Sequence, residues 1–455
     1  MDKRELKRLD RELSAYLDSM TEGMGRPERR QAMRDYLTGL LLDGDRKSIE
    51  PMAGRLVDDE SEIQAMRQRL QQCVTVSTWS DEDVWKRLAL KGEAELPELE
   101  AWVVDDTGFP KKGTHSVGVQ RQYSGTLGRK DNCQVAVSLH LASERGSLCM
   151  GVRLYVPESW TVDRERCKAV GVPDDVVFQT KWQLSLAQID AALHWGMSPR
   201  VVLGDPGYGD VTEYRDGLVE RRLDYVLGVM GTLVVWAPGT GPIAPPRTRP
   251  PGQRGLSPTR WKTGKDQPIP VLALAIARGR NTCRTVHWRE GSRGRQGSRF
   301  GAVRIRTAHR HTQGDPPGDE QWLLYEWPTE EKEPTKFWFS TLPANTSLKQ
   351  LVRLAKLRWR VERDYQEMKQ EIGLDHFEGR GWMGFHHHAT LCGVAHGFLA
   401  LRRALSPPEH HEVDAARGEA TAAADPAAAG RPLPPVPSPS GRKKPAARTV
   451  TDVIE

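Results

Sequence analysis

Leu6, Leu9, Leu13 and Leu17 recur at helical spacing, and YLTGLLLDGDRKSIEPMAGRL offers a second and third helix around Gly44. No strand-like alternation interrupts this pattern, so residues 1–95 are predicted to be all helical. From about residue 99 the pattern changes. LEAWVVDD, QVAVSLHLAS and SLCMGVRLYVP are short apolar or β-branched runs separated by Gly, Pro and polar turns, and they predict three neighbouring strands. A helix follows in TKWQLSLAQIDAALHWG, then a buried strand in RVVLGDPGYG, a helix around TEYRDGLVERR and a strand in DYVLGVM. Three strands, helix, strand, helix, strand is the order of an α/β sheet with helices on its faces.

Residues 236–335 are rich in Gly, Pro and Arg, with short apolar runs such as PVLALAIAR and QWLLYEW, and are predicted to be a β-rich insertion. LKQLVRLAKLRWRVERDYQEMKQEIGL then gives the longest helical pattern in the chain, carried by Leu348, Leu351, Leu354 and Leu357. Another helix is expected from about His386 to Leu405. The chain thus divides into a helical segment (1–95), the first part of an α/β core (96–235), the insertion (236–335), the core's last helices (336–405) and a low-complexity Ala, Pro and Arg tail (406–455) that is predicted to be disordered.

Composition narrows the class. In 455 residues, 38% are apolar and 28% charged, which places the chain among globular proteins. No run of about 18 apolar residues could span a bilayer, and the charged N-terminal stretch has no apolar core of the secretory type, so a cytoplasmic protein is expected. The six cysteines are scattered singly, away from zinc-site spacing. The net charge of +6 hides an asymmetry: residues 241–312 hold sixteen Lys and Arg against Asp266 and Glu290, a local +14, so the remainder is net acidic. A stretch that basic needs a polyanion, most commonly nucleic acid. Several short helices with basic junctions in residues 1–95 suit a DNA-binding domain of helix-turn-helix character, beside the plainer reading of a packing or dimerisation domain.

Three acids stand apart by position. Asp105 ends the first strand, Asp205 ends the fourth within VVLGDPGYG, and Glu362 lies inside the long helix. Acids at the carboxyl ends of apolar strands are poor strand formers and lie where α/β sheets present ligands. Two on neighbouring strands can share a cation, and a third from a packed helix completes an oxygen-rich site of the kind Mg2+ favours. Phosphodiester chemistry uses such a site, because two metals about 3.5 to 4 Å apart can activate the attacking oxygen and stabilise the leaving one. Asp106 competes with Asp105, since side chains alternate along a strand and spacing does not choose between them. Arg358, Glu362 and Lys369 fall on one helical face, where a cation can pair with the carboxylate or reach a phosphate. His386, His387 and His388 are consecutive on a helix, cannot converge on one ion and are assigned a structural role.

At these residues the chain resembles the insertion-sequence DDE transposases of the insertion sequence 4 superfamily, most closely the insertion sequence 701 family. DDTGFPKKGTHSVGVQRQYSGTLGRKDNCQVAVSLHLAS is similar to the segment around that family's first catalytic Asp, GDPGYG to the second, and RWRVERDYQEMKQEIGLDHFEGR to the Glu motif. The resemblance covers about residues 30–400. It implies an RNase H-like catalytic core with an N-terminal helical domain that binds DNA ends and a β-rich insertion before the last catalytic helix. It carries catalysis and metal binding onto Asp105, Asp205 and Glu362, favouring Asp105 over Asp106 because the family allows Glu at the latter. Two Mg2+ ions are implied, with Mn2+ as a substitute. The implied partners are double-stranded DNA, the terminal inverted repeats and target DNA, bound by a dimer on paired ends, with no membrane involved. Arg358 and Lys369 match the Glu motif, whereas Ala355 stands where the superfamily has Tyr; that departure bears on a DNA-end contact and not on the metal site.

Lys111, Lys112, Arg121 and Gln122 in GFPKKGTHSVGVQRQYSG, interleaved with small residues and Tyr123, suit the tracking of a DNA backbone near the first Asp. Arg289 and Arg293 in the basic insertion are expected to clamp DNA near the cut. Two other classes remain open: a catalytically silent, domesticated transposase that only binds DNA, and a nuclease of repair or junction cutting built on the same core.

Overall fold

The structure is a computed structural model that describes residues 3–125, 128–246, 259–291, 294–308 and 313–405; the predicted tail lies outside the described residues. The chain opens with helices α1 (Lys3–Thr21), α2 (Pro27–Leu41), α3 (Ile49–Leu56), α4 (Ile63–Thr75) and α5 (Asp81–Glu95). Leu9, Leu13 and Leu17 of α1 are buried, as their spacing predicts. Helix α5 starts where the Ser80 hydroxyl accepts the Asp83 amide, and it buries Val84, Trp85, Leu88 and Ala89 along one stripe.

The sheet begins with β1 (Ala101–Pro110), β2 (Gln120–Ser124), β3 (Arg129–Ala142) and β4 (Ser147–Leu154). Short helices α6 (Glu158–Thr161) and α7 (Arg164–Ala169) lead to α8 (Lys181–His194), whose Thr180 and Gln183 form a reciprocal capping box. There follow β5 (Val201–Gly204), the single turn α9 (Pro206–Gly209), α10 (Thr212–Glu220) and β6 (Tyr225–Val229). The next segment holds β7 (Val234–Trp236), β8 (Ile269–Pro270), α11 (Val271–Arg278), β9 (Arg284–Gly291), β10 (Gly294–Thr307) and β11 (Glu320–Glu326). The described chain closes with β12 (Lys336–Ser340), α12 (Leu348–Leu357), α13 (Trp359–Gln370) and α14 (Trp382–Leu405).

All the described strands join one mixed sheet, in the order β2-β3-β1-β5-β6-β12-β11-β10-β7-β8, with β4 on β3 and β9 on β10. The β1–β3 and β3–β4 pairs are antiparallel, while β1–β5 and β5–β6 are parallel. The two faces of β1 bury different partners. Ala101 and Val103 pack with Leu203, Val226, Leu351, Leu354 and Val361 beneath α12 and α13. Trp102 and Val104 face the other core, which also takes in α5 and α14. Helix α14 is buried around most of its girth, as its pattern requires. His387 lies stacked on Trp79 at 3.7 Å, while His388 meets the Tyr36 hydroxyl at 2.8 Å, so these side chains tie α14 to the N-terminal helices in separate directions.

Four local readings change. Asp105, expected at the end of the first strand, lies in the middle of β1, which runs on to Pro110 because β3 pairs with it throughout. PVLALAIAR, expected within a β-rich run, forms α11, because strong helix formers, Leu and Ala, make up most of the run after the N-capping Pro270. The single long helix expected around Glu362 breaks into α12 and α13 at Arg358. Part of the basic loop after β1 is strand β2, whose sequence QRQYS has no apolar alternation to announce it.

Candidate active site

The alternation of β1 fixes where its two acids point. Asp105 follows Ala101 and Val103 onto the face beneath α13, whereas Asp106 follows Trp102 and Val104 onto the opposite face. There the Lys181 ammonium, in the first turn of α8, pairs with Asp106 at 2.6 Å. On the α13 face the Arg358 guanidinium bridges two acids, with Nη1 2.8 Å from Asp105 Oδ2 and Nη2 2.8 Å from Glu362 Oε1. The bridging residue is the one at which α12 gives way to α13. Asp205, directly after β5, caps α9 by accepting the Gly207 amide at 2.9 Å.

Burial pushes the Asp105 carboxyl up to about 7; the Arg358 charge works against this and the Asp205 charge adds to it. Asp205 is raised for the same leading reason, burial, with Asp106 adding to it. Glu362 is different: its side chain is 64% exposed, so it faces the solvent side of the site. Among the described residues no set of three or more His, Cys, Asp or Glu stands close enough to hold a metal ion together. In chemistry the donors nonetheless suit a hard divalent cation, since all three are carboxylates and Asp105 and Asp205 are both buried.

Helix α13 is held by polar contacts through Asp364, Tyr365 and Glu367. Ser138, paired across the strands with Asp105, contacts the Tyr365 hydroxyl at 2.5 Å and His140 Nε2 at 2.8 Å. His140 Nδ1 meets Asp364 Oδ2 at 2.7 Å, and the Ser147 hydroxyl donates to Asp364 Oδ1 at 2.5 Å. Burial opposes a charge on His140, but Cys149 and Asp364 outweigh it and push the imidazole up to about 10. One turn on, burial works against the Glu367 charge, but His396 and Arg403 hold this carboxylate well below the usual range. These contacts fix the helix of Glu362 against the strand that pairs with Asp105.

The other expected residues are scattered around this centre. Lys369 Nζ donates to the Gly108 carbonyl at 2.9 Å, and Lys111 Nζ to the Phe377 carbonyl at 2.9 Å, so both ammonium groups are turned onto the protein. Lys112 and Arg121 are exposed, with Arg121 on β2. Arg289 on β9 lies over the Trp359 ring at 4.1 Å. Arg293 lies outside the described residues. Ala355 is buried in the core beneath α12. Sequence reasoning missed Lys181, Trp359 and the group around Asp364. A signal for the last existed: Ser138 and His140 sit two apart, on one face of an otherwise apolar strand.

A family model described as DDE superfamily endonuclease matches residues 19–295, a span that contains Asp105 and Asp205 and ends before Glu362. The chain is 27% identical over 204 residues to a protein from Microchaete diplosiphon described as a probable transposase for insertion sequence element IS701. The match covers 44% of this chain and 48% of that protein, so it spans about half the length of the relative. Among solved structures, the cryo-EM structure of the piggyBac transposase synaptic complex with hairpin DNA is similar at 9% identity and a TM-score of 0.35, over 86% of this chain and 75% of the other. No described helix is long and apolar enough to cross a membrane.

Proposed function

Because the chain belongs to the DDE superfamily endonucleases, we propose that it is a transposase that cuts and rejoins DNA at the ends of an insertion sequence, with Asp105, Asp205 and Glu362 as its catalytic acids. The observation that carries this reading is the Arg358 bridge, since one guanidinium reaches Asp105 from β1 and Glu362 from α13. The RNase H-like reading of the core is supported by the strand order β4-β3-β1-β5-β6, with its antiparallel first half and parallel second half. In the proposed division, residues 1–95 read the DNA ends and residues 236–335 form the insertion. The partners are duplex DNA with terminal inverted repeats and a second copy of the chain on the paired end.

The three carboxylates would hold Mg2+ ions, which when bound supply the positive charge that activates an attacking oxygen and stabilises the leaving one. The protein's own groups do the rest. Asp105, titrating near neutrality, keeps the pocket's negative charge low, and Arg358 neutralises its ionised form. Asp106, paired with Lys181, stays on the far face of the sheet. The contacts of Asp364 and Tyr365 hold the pitch of α13 while DNA presses on its exposed side. Of the basic residues, Lys112, Arg121 and Arg289 are assigned to backbone phosphates; Lys111 and Lys369 could join them only by leaving their carbonyl partners. The test is a plasmid carrying the gene with its flanking sequence, incubated with the purified chain. Mg2+-dependent cuts at the element's ends are expected, and uncut plasmid in both Mg2+ and Mn2+ would refute the reading.

A further inference from the structure

The β9–β10 hairpin carries a register slip: Gln296 faces Arg289 and Gly297 faces His287, which leaves Trp288 as the extra residue of a bulge. A bulge lets consecutive side chains turn to the same side. Trp288 packs edge-on against Phe300 at 5.6 Å with the Lys356 ammonium 4.6 Å from its centroid, and Arg289 lies 4.1 Å over Trp359. Lys356 and Trp359 flank Arg358, so this hairpin grips the chain at the break between α12 and α13.

Arg360 also approaches the Trp359 ring, at 4.5 Å. One indole therefore holds two guanidinium groups, and among the described residues neither is in an ion pair with a carboxylate. The Arg289 side chain makes no hydrogen bond among the described residues; Arg360 Nη2 donates to the Glu144 carbonyl, while its buried Nε has no partner among the described residues. Burial lowers Arg360 to about 10 and the Arg289 charge adds to this, while Asp364, Glu367 and Glu144 work against it. Arg360 thus has acids around it, whereas Arg289, on the outer strand of the hairpin, is the guanidinium left to take an anion. Stacking on the indole fixes the Arg289 guanidinium plane and leaves its edge N–H groups free, the arrangement that suits bidentate binding of phosphate.

We propose that Arg289, stacked on Trp359 beside Arg360, forms a seat for one DNA backbone phosphate beside the cut. The proposal rests on the reading of the chain as a DNA-cutting enzyme and names a contact within it. Trp359 and Glu362 are three residues apart, about 4.5 Å of helical rise, close to the ~3.4 Å axial spacing of phosphates along one strand of duplex DNA. A phosphate in the seat is then a near neighbour of the one that meets Glu362. Trp359 acts as a positioning residue: it orients Arg289 and ties the bound backbone to the helix that carries the third acid.

The experiment measures binding of the full chain to a fluorescein-labelled duplex of random sequence, in EDTA, across a salt series. Random sequence suffices because phosphate contacts do not depend on it. Arg289→Ala is expected to reduce the slope of log affinity against log salt by about 0.9. Trp359→Leu keeps the charge, so the slope should hold while affinity at fixed salt falls roughly two- to fivefold, the scale of a lost cation–π contact. Arg289→Lys should also hold the slope and lose affinity, and it serves as the reading if Arg289→Ala does not fold. The double variant should lose less affinity than the two single losses combined, because the Arg289–Trp359 contact is counted in both. A wild-type slope in folded Arg289→Ala, or losses that simply add in the double variant, overturns the seat. Absence of salt-dependent duplex binding by the wild type overturns the functional reading itself.

Discussion

Replacing Asp105 with Asn should make the metal-free protein more stable at alkaline pH, and the size of the gain follows from the site. Burial pushes the carboxyl from its ordinary 3.8 to about 7, despite Arg358 at 2.8 Å. Between those values the folded chain keeps a proton that the unfolded chain has released, so the folded state binds more protons there and stability falls as pH rises through the window. At 1.36 kcal/mol per pH unit the gap is worth about 4 kcal/mol, fully felt above pH 7 and absent below about pH 4. Asn has nearly the same shape and no titration, and Arg358 keeps Glu362 as a partner. The urea midpoints of variant and wild type, taken in EDTA from pH 4 to pH 8, should therefore diverge progressively in favour of the variant, with about 4 kcal/mol as the upper bound. Parallel profiles would refute the account of Asp105 as a carboxyl whose burial outweighs its pairing with Arg358.

Two further substitutions test the supports of the site. Asp364→Asn replaces the carboxylate that holds His140 and Ser147 with a neutral amide in a buried network, so a loss of about 1 to 3 kcal/mol is expected in urea unfolding at pH 7; no measurable loss would remove the group from its proposed role. Gly209→Ala would place a Cβ 1.9 Å from the Gly228 carbonyl, forcing α9 away from β6 and moving Asp205 with it; a cost of about 1 to 3 kcal/mol is expected, together with cleavage slower than the stability loss explains. Wild-type cleavage by that variant would mean that the position of Asp205 does not depend on this contact.

The strands that build the centre were legible as apolar runs, AWVV and VVLG, and the polar end holds for Asp205, whereas β1 continues through Asp105 and Asp106 to Pro110 because β3 pairs with it along its whole length. The choice between Asp105 and Asp106 was not legible, because it depends on which sheet face receives α13, and that is decided by distant residues such as Leu351 and Val361. The break at Arg358 was hidden for a related reason: the apolar spacing of Leu354 and Leu357 continues past it in Val361, and only the contacts to Asp105 and Glu362 mark it out. Lys181 escaped notice because its partner Asp106 is 75 residues away. Strand β2 was invisible to a pattern search, since Arg121 and Tyr123 are exposed and no apolar residue alternates with them. Trp359, one aromatic among many charges, gave no sign that Arg289 would come to lie on it.

The central claim is that Asp105, Asp205 and Glu362 act together in DNA cleavage, and single isosteric substitutions test it most directly. Asp105→Asn, Asp205→Asn and Glu362→Gln should each bind duplex DNA as the wild type does, while cleavage of the element's ends in Mg2+ falls to background and calorimetry shows weakened Mn2+ binding. Glu362→Gln is the decisive case, since Glu362 lies beyond the matched family segment and is assigned from the motif and the Arg358 bridge. Wild-type cleavage by folded Glu362→Gln, with unchanged Mn2+ binding, would contradict the account.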